Sequence, residues 1–212
     1  MLWNNIELPE KNIYFKDDDV IIYCADNRDI LKYIPDKSID LVLTDPPYGI
    51  DIANNPFRQK FDKADWDNKP IEDKLLLIII SKAKDSVIWG GNYFDLPPSQ
   101  CFFVWDKMQP QNFSSAMCEL AWVSRQSPAK LFRKWCVDYK KYHPTQKPEP
   151  LMEWCLELFP QSILIFDPFM GSGTTIRASK NLNRKCIGIE IEEKYCKIAV
   201  ERLRQSVMRL EV

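Results

Sequence analysis

The sequence predicts an α/β domain built on a mostly parallel, doubly wound sheet with helices on both faces. Three observations carry that prediction. Apolar runs of strand length, such as Val20-Ile21-Ile22-Tyr23-Cys24 and Ile39-Asp40-Leu41-Val42-Leu43, end near acidic residues, as strands buried on both faces do. Stretches with helical spacing alternate with these runs, which implies parallel strands joined by crossovers. Late in the chain a glycine-rich turn, Pro168 to Gly173, separates an apolar run from a helical stretch, the arrangement of a ligand-binding strand end.

Taken in order, the acidic turn Asp17-Asp18-Asp19 feeds the first strand, and Asp29 to Pro35 supplies one or two helical turns before the second. Leu75 to Lys84 has a helix's length and spacing and leads into the strand Ser86-Val87-Ile88-Trp89, which stops at Gly90-Gly91. Cys101 to Trp105 and Leu120 to Ser124 read as two more strands, the second half-polar and so nearer an edge. Glu149 to Leu158 follows a proline with helical spacing. The strand Ile163-Leu164-Ile165-Phe166 is closed by Asp167 and the glycine turn. A helix from Thr174 to Leu182, a strand Cys186 to Ile189 and a last helix from Glu192 to about Val207 complete the pattern. With no internal repeat, low-complexity tract or long linker, residues 1–212 are read as one domain.

Composition narrows the function classes. The chain has 212 residues, 45% of them hydrophobic, enough for one sizeable core. Its longest apolar run, Leu75 to Ile80, is far short of the roughly 18 residues of a membrane span. The start, Met1-Leu2-Trp3-Asn4-Asn5, lacks the basic and apolar regions of a signal peptide, so a soluble cytoplasmic protein is expected. The seven cysteines, Cys24, Cys101, Cys118, Cys136, Cys155, Cys186 and Cys196, are scattered without a C-x-x-C pair. They read as buried reduced thiols, and no metal site is expected. A net charge of -1 argues against a protein that coats nucleic acid, a mode that relies on neutralising many phosphates. A local basic patch would suffice for an enzyme that visits DNA.

Asp45-Pro46-Pro47-Tyr48 follows an apolar strand at the place where a doubly wound sheet binds ligands. By average residue usage, roughly one chain in a thousand of this length carries the tetrapeptide by chance. Its two prolines fix φ twice and remove two donors, leaving a rigid segment with free carbonyls. An aromatic exocyclic amine is a poor nucleophile because its lone pair is delocalised into the ring. Two acceptors on its hydrogens, Asp45 and the Pro46 carbonyl, favour a pyramidal nitrogen whose lone pair faces an electrophile. A base in a duplex reaches them only when flipped out, and stacking on Tyr48 repays part of that cost at about 1–3 kcal/mol.

The second motif runs Phe166-Asp167-Pro168-Phe169-Met170-Gly171-Ser172-Gly173-Thr174-Thr175. Glycines let the backbone approach a ligand, but the lysine of a phosphate loop is missing, and Asp167 would repel an anion and attract an ammonium. The next strand ends in Glu190, near the roughly 20-residue offset at which an acid meets ribose hydroxyls. Together these features ask for an adenosine-plus-amino-acid ligand without phosphates, namely S-adenosylmethionine.

With both motifs in place, the chain resembles the β-group amino-methyltransferases, which include many bacterial and phage N6-adenine and N4-cytosine DNA methyltransferases. In that group the D-P-P-Y motif precedes the F-x-G-x-G motif, as Asp45 to Tyr48 here precedes Phe169 to Gly173. The resemblance implies a permuted Rossmann-like S-adenosylmethionine-dependent methyltransferase fold with an antiparallel hairpin at one edge. It implies a catalytic half, 1–142, and a cofactor half, 143–212. Cys24-Ala25-Asp26 resembles the segment whose aspartate holds the cofactor adenine, and Ile88 to Phe94 the strand behind the target pocket. Val104-Trp105-Asp106-Lys107, Asn112-Phe113 and Glu119 to Trp122 look like the hairpin that follows. His143-Pro144-Thr145-Gln146-Lys147-Pro148 resembles the element whose polar residues approach the methionine end. The expected cofactor set is therefore Asp26, Gln146, Lys147, Asp167, Pro168, Phe169, Gly171, Ser172, Gly173, Thr174 and Glu190.

Only the loop 51–70 and the segment 125–142 are available for target recognition, shorter than in members that read a defined sequence. Small stand-alone versions resemble phage and prophage enzymes. Lys130, Arg133, Lys134, Lys140 and Lys141, interleaved with aromatics, suit DNA contacts or a solvated charged face equally well. His143, the single histidine, is read as a structural hydrogen-bonding residue, because methyl transfer from a sulfonium needs little proton abstraction until after attack. DNA is the expected partner and a homodimer a compatible assembly. Transfer to N6 of adenine is the leading reading. N4 of cytosine, more often marked by serine in place of Asp45, and an idle DNA-binding or cofactor-sensing module remain as alternatives.

Overall fold

The computed structural model describes residues 2–49, 71–110, 112, 116–135 and 146–205. Two short strands, β1 (Leu2–Trp3) and β2 (Ile6–Glu7), pair with each other as a separate ribbon that precedes the main sheet in the chain. The sheet then takes β3 (Ile13–Lys16), β4 (Val20–Cys24), β5 (Ile39–Thr44), β6 (Ala83–Trp89), β7 (Cys101–Asp106), β8 (Cys118–Val123), β9 (Lys130–Arg133), β10 (Leu164–Asp167) and β11 (Lys185–Glu190). Its spatial order is β3-β4-β11-β10-β5-β6-β8-β7-β9. The five central strands from β4 to β6 run parallel, and β3 is antiparallel at one edge.

Side chains alternate across the parallel strands and feed two cores. Val20, Ile22, Leu41, Leu43, Val87 and Trp89 pack under α3 (Glu149–Glu157), α4 (Thr174–Asn181) and α5 (Glu193–Arg204). Ile21, Tyr23, Val42 and Ile88 face α1 (Asn27–Leu31) and α2 (Asp73–Ser81) on the other side. Each such aliphatic side chain, fully buried, contributes about 1.5–3 kcal/mol. The mostly parallel sheet sandwiched between helices is the expected architecture.

Several expectations change in detail. The helix read as Asp29 to Pro35 starts at Asn27, because the Asp26 side chain caps it by accepting from Arg28 N. The helix read as Leu75 to Lys84 begins two residues earlier and stops at Ser81, and Ala83 to Asp85 join β6, paired with β5. The strand expected near an edge, β8, lies inside the sheet between β6 and β7. Its polar residue Glu119 faces buried cations, so polarity there does not mean solvent. The edge is β9, parallel to β7. Cys118, expected buried, is exposed, whereas Cys101, Cys155, Cys186 and Cys196 are buried as expected. The loop 51–70, Cys136, Lys140, Lys141, His143 and the last helix beyond Gln205 lie outside the described residues. No helix among the described residues is long and apolar enough to cross a membrane.

Candidate active site

Successive crossovers leave β10 and β5 in opposite directions, β10 to β11 on one side and β5 to β6 on the other. The carboxyl ends of these two neighbours therefore border the crevice at which such sheets bind ligands. A cavity of about 490 Å³ opens there. Asp26, Asp45, Gln146, Lys147, Asp167 and Glu190 contribute polar groups to its wall, and Leu75, Met152, Phe169 and Ile191 apolar ones. The two motifs found in the sequence thus share one cavity, although residues 49–165 lie between them.

The glycine turn is shaped by its backbone. Gly171 and Gly173 take φ of 51° and 78°, the left-handed region that glycine enters without strain. A Cβ at Gly173 would also come within 2.7 Å of Ala199 Cβ, so the turn is pressed against α5. Arg202, buried on that helix, donates from Nη1 to the Ser172 carbonyl (2.6 Å) and reaches Ser172 Oγ and Thr174 Oγ1 (3.3 Å each). Its Nη2 lies 3.4 Å from Glu149 Oε2. Ser172 Oγ in turn donates to Gln146 Oε1 (3.1 Å), which ties the residues just before α3 to the turn.

Two carboxylates bracket the cavity. Asp167 accepts from Thr44 Oγ1 (2.6 Å) and from Phe169 N (3.1 Å). Burial pushes its carboxyl up to about 6 against those hydrogen bonds. Glu190 accepts from Gly171 N (3.0 Å) and Glu192 N (2.8 Å), and burial again prevails and raises it to about 7. Each is a partly desolvated acid that gains from a cation or a pair of hydroxyl donors. Asp26, in the cavity wall, uses one oxygen to cap α1. Asn27 Nδ2 donates to the Pro168 carbonyl (3.4 Å), joining α1 to the turn.

The D-P-P-Y segment leaves β5 directly after Thr44. The Tyr48 hydroxyl donates to Asp45 Oδ1, and Lys147 Nζ donates to Asp45 Oδ2 (2.6 Å) and to the Tyr48 oxygen (3.2 Å). The Tyr48 ring lies parallel to Tyr93 with centroids 4.9 Å apart. A Cβ at Gly90, whose φ is 68°, would overlap the Tyr48 ring, and one at Gly91 would overlap Trp122 on β8, so each glycine of the break admits a different neighbour. Lys147, expected on the cofactor side, lines the cavity and contacts Asp45 and Tyr48.

Other residues at the site carried little signal in the sequence. Glu119 forms ion pairs with Lys147 (2.9 Å) and Lys107 (2.6 Å), and its Oε2 accepts no hydrogen bond from the described residues. Burial pushes its carboxyl up, and the two ammoniums more than offset this and bring it down to about 2. A glutamate inside an otherwise apolar strand was the available clue. Arg202 offered none, since its helical spacing matches that of any amphipathic helix. Lys130 and Arg133 lie on β9, Lys134 just beyond it, and Arg133 is 3.3 Å from Asp106. Because β7 and β9 run with β5 in direction, Arg133 and Lys134 emerge on the same rim of the sheet as Asp45.

Comparison with known proteins gives a consistent picture. The model of a family described as DNA methylase (N6_N4_Mtase) matches residues 76–201, more than half of the chain. The Type II methyltransferase M2.LlaDCHI of Lactococcus lactis subsp. cremoris is 26% identical over 252 aligned positions, covering 91% of this chain and 92% of that protein. The Type II methyltransferase M2.DpnII of Streptococcus pneumoniae is 40% identical over 156 positions, 73% of this chain and 52% of that protein. Among solved structures, the M1.HpyAVI-SAM complex superposes with a TM-score of 0.58 at 27% identity, covering 87% of this chain and all of that one. The PvuII DNA methyltransferase (cytosine-N4-specific) gives 0.64 at 16% identity, over 94% and 92% of the two chains, a likeness of fold.

Proposed function

Because this chain belongs to the N6/N4 DNA methylase family, we propose that it methylates the exocyclic N6 amine of an adenine flipped out of DNA, with S-adenosylmethionine as donor. The observation that carries the reading is the meeting of Asp45 with Asp167 and Glu190 in one cavity at the switch point of the sheet.

The residues fit the donor's chemistry. Glu190 stands at the carboxyl end of β11, the position for two ribose hydroxyls, and Asp26 beside it on β4's side suits the adenine. At the other end Asp167 suits an ammonium, and the left-handed glycines let the turn's backbone come close. Gln146, Pro168, Phe169, Ser172 and Thr174 complete the wall, and Gly173 holds the turn against α5. When bound, the donor supplies a methyl carbon on a positive sulfur, which the amine nitrogen attacks as the carbon–sulfur bond breaks.

Asp45 and the Pro46 carbonyl accept the two amine hydrogens and make the nitrogen lone pair available. As the nitrogen becomes positive, the Asp45 carboxylate stabilises it in a water-poor setting. Tyr48 supplies an aromatic surface for the flipped base, and Pro47, in the cavity wall, keeps the segment stiff. Aspartate at position 45 supports adenine, since the N4-cytosine members that this chain resembles more often carry serine there. Arg133 and Lys134 emerge on the catalytic rim and Lys130 at the opposite end of β9, so the first two are the stronger candidates for phosphate contacts.

The test is transfer of a labelled methyl group to DNA by the purified protein. Incorporation that vanishes in Asp45→Ala, with S-adenosylmethionine affinity retained, is expected. Equal incorporation in Asp45→Ala would overturn the assignment of Asp45.

A further inference from the structure

Behind the D-P-P-Y segment lies a row of alternating charges that the reading above does not use. Asp45, Lys147, Glu119 and Lys107 follow one another with contacts of 2.6, 2.9 and 2.6 Å. The Lys147 and Lys107 side chains are 4% and 9% exposed. Four different stretches supply them: the end of β5, the residue after β7, β8, and the residues just before α3.

An ammonium has three protons, and Lys147 donates to Asp45 and to the Tyr48 oxygen, while Glu119 Oε2, 2.9 Å away, is paired with it by charge and accepts no hydrogen bond from the described residues. Both oxygens of Asp45 are likewise occupied, one by Lys147 and the other by Tyr48. In this arrangement Asp45 meets a cation, and a carboxylate that neutralises an ammonium is a poorer acceptor for a neutral amine. An incoming base must take over the oxygen that Lys147 holds. A buried ammonium released without a second partner would carry a large desolvation cost. Glu119 removes that cost, for its Oε2 stands 2.9 Å from the same ammonium with room to accept a hydrogen bond, and Lys147 and Lys107 together bring its carboxyl down to about 2.

We propose that Lys147 is handed from Asp45 to Glu119 when the target amine docks, with Glu119 and Lys107 acting as positioning residues that make the exchange possible. The exchange breaks no covalent bond and moves no proton: one N–H···O contact is traded for another, and the row stays neutral throughout. Lys147 thereby accompanies the Asp45 carboxylate until the amine arrives and leaves its oxygen free as the amine docks. The inference rests on the proposed methyl transfer to an exocyclic amine.

Single-turnover transfer, measured beside cofactor titration, separates this from a merely structural role. Glu119→Gln removes the receiving charge. The rate of transfer is expected to fall by about tenfold to a hundredfold, while S-adenosylmethionine affinity stays within about twofold. The double variant Lys107→Met with Glu119→Gln restores the charge balance but not the receiving carboxylate, and is expected to remain slow. Glu119→Asp, which keeps a carboxylate on a shorter stem, recovers part of the rate. A wild-type rate in Glu119→Gln, or full recovery in the double variant, would overturn the hand-off. If Glu119→Gln fails to bind cofactor, the readout passes to the unsubstituted protein crystallised with S-adenosylhomocysteine and a short adenine-containing DNA. Lys147 Nζ should there lie on Glu119 and away from Asp45, and an unchanged contact with Asp45 would refute the exchange. Absence of transfer by the unsubstituted protein would instead contradict the proposed function.

Discussion

The affinity for S-adenosylmethionine should rise steeply between pH 6 and pH 8, and Glu190 should cause most of the rise. Burial lifts its carboxyl from 4.5 to about 7 even though Gly171 N and Glu192 N bond it. Ribose hydroxyls donate to the ionised form, so binding draws the group back toward its ordinary value. At pH 6 about one ligand-free molecule in eleven has Glu190 ionised, and at pH 8 about ten in eleven. If the bound form is ionised at both, the dissociation constant falls about tenfold across this interval. Asp167, raised to about 6, adds about twofold more. The sign for stability is opposite. A carboxyl raised in the folded state leaves folding unburdened below about pH 4.5, and above about pH 7 its ionisation costs up to about 3 kcal/mol. Ligand-free protein therefore loses stability over that window, and cofactor restores it. Isothermal titration at pH 6, 7 and 8, for the unsubstituted protein and Glu190→Gln, measures the effect, and the cofactor's own titration cancels in the comparison. The variant should bind more weakly at pH 8 and keep only about a twofold pH dependence. The same steep dependence in Glu190→Gln would refute the assignment of Glu190.

Three further outcomes follow from the geometry. Tyr48→Phe keeps the ring but loses the hydroxyl between Asp45 and Lys147, so single-turnover transfer should slow by about tenfold, whereas Tyr48→Ala should abolish base capture; equal loss in both would show that the hydroxyl governs. Gly90→Ala places a Cβ in the Tyr48 ring at a left-handed φ, which costs about 1–2 kcal/mol before any overlap, and should lower both Tm and transfer rate; an unchanged rate would detach Gly90 from the site. Neutralising Arg133 and Lys134 together should weaken binding to all DNA sequences alike and reduce the salt dependence by about one unit of slope per contact, read by fluorescence anisotropy against salt concentration; an unchanged slope would make them a solvated face.

Much of the fold was legible because strand periodicity and the two motifs are local. Val20 to Cys24 and the strand ends at Asp45, Asp167 and Glu190 lie where the apolar runs and acids placed them. The glycine turn was legible for the same reason, since Gly171 and Gly173 are required by backbone angles set within a few residues. What escaped was non-local. β8 was read as peripheral because Leu120 to Ser124 looked half-polar, yet it lies between β6 and β7, and the charge of Glu119 at its start is paired with lysines from two other elements. β9 gave no strand signal because an edge strand of four residues, mostly exposed, carries no alternation to read. Lys147 could be assigned to the cofactor side only by its neighbours in sequence, while its partners Asp45 and Glu119 come from other strands. Arg202 supports the glycine turn across α4 and α5, a contact that helical spacing alone cannot announce.

The central claim, methylation of adenine N6 in DNA, is tested most directly by identifying the product. DNA incubated with the protein and S-adenosylmethionine is digested to nucleosides and analysed by mass spectrometry. N6-methyldeoxyadenosine that disappears with Asp45→Ala is the predicted result. N4-methyldeoxycytidine in its place would contradict the choice of base, and unmodified DNA would contradict the methyl transfer itself.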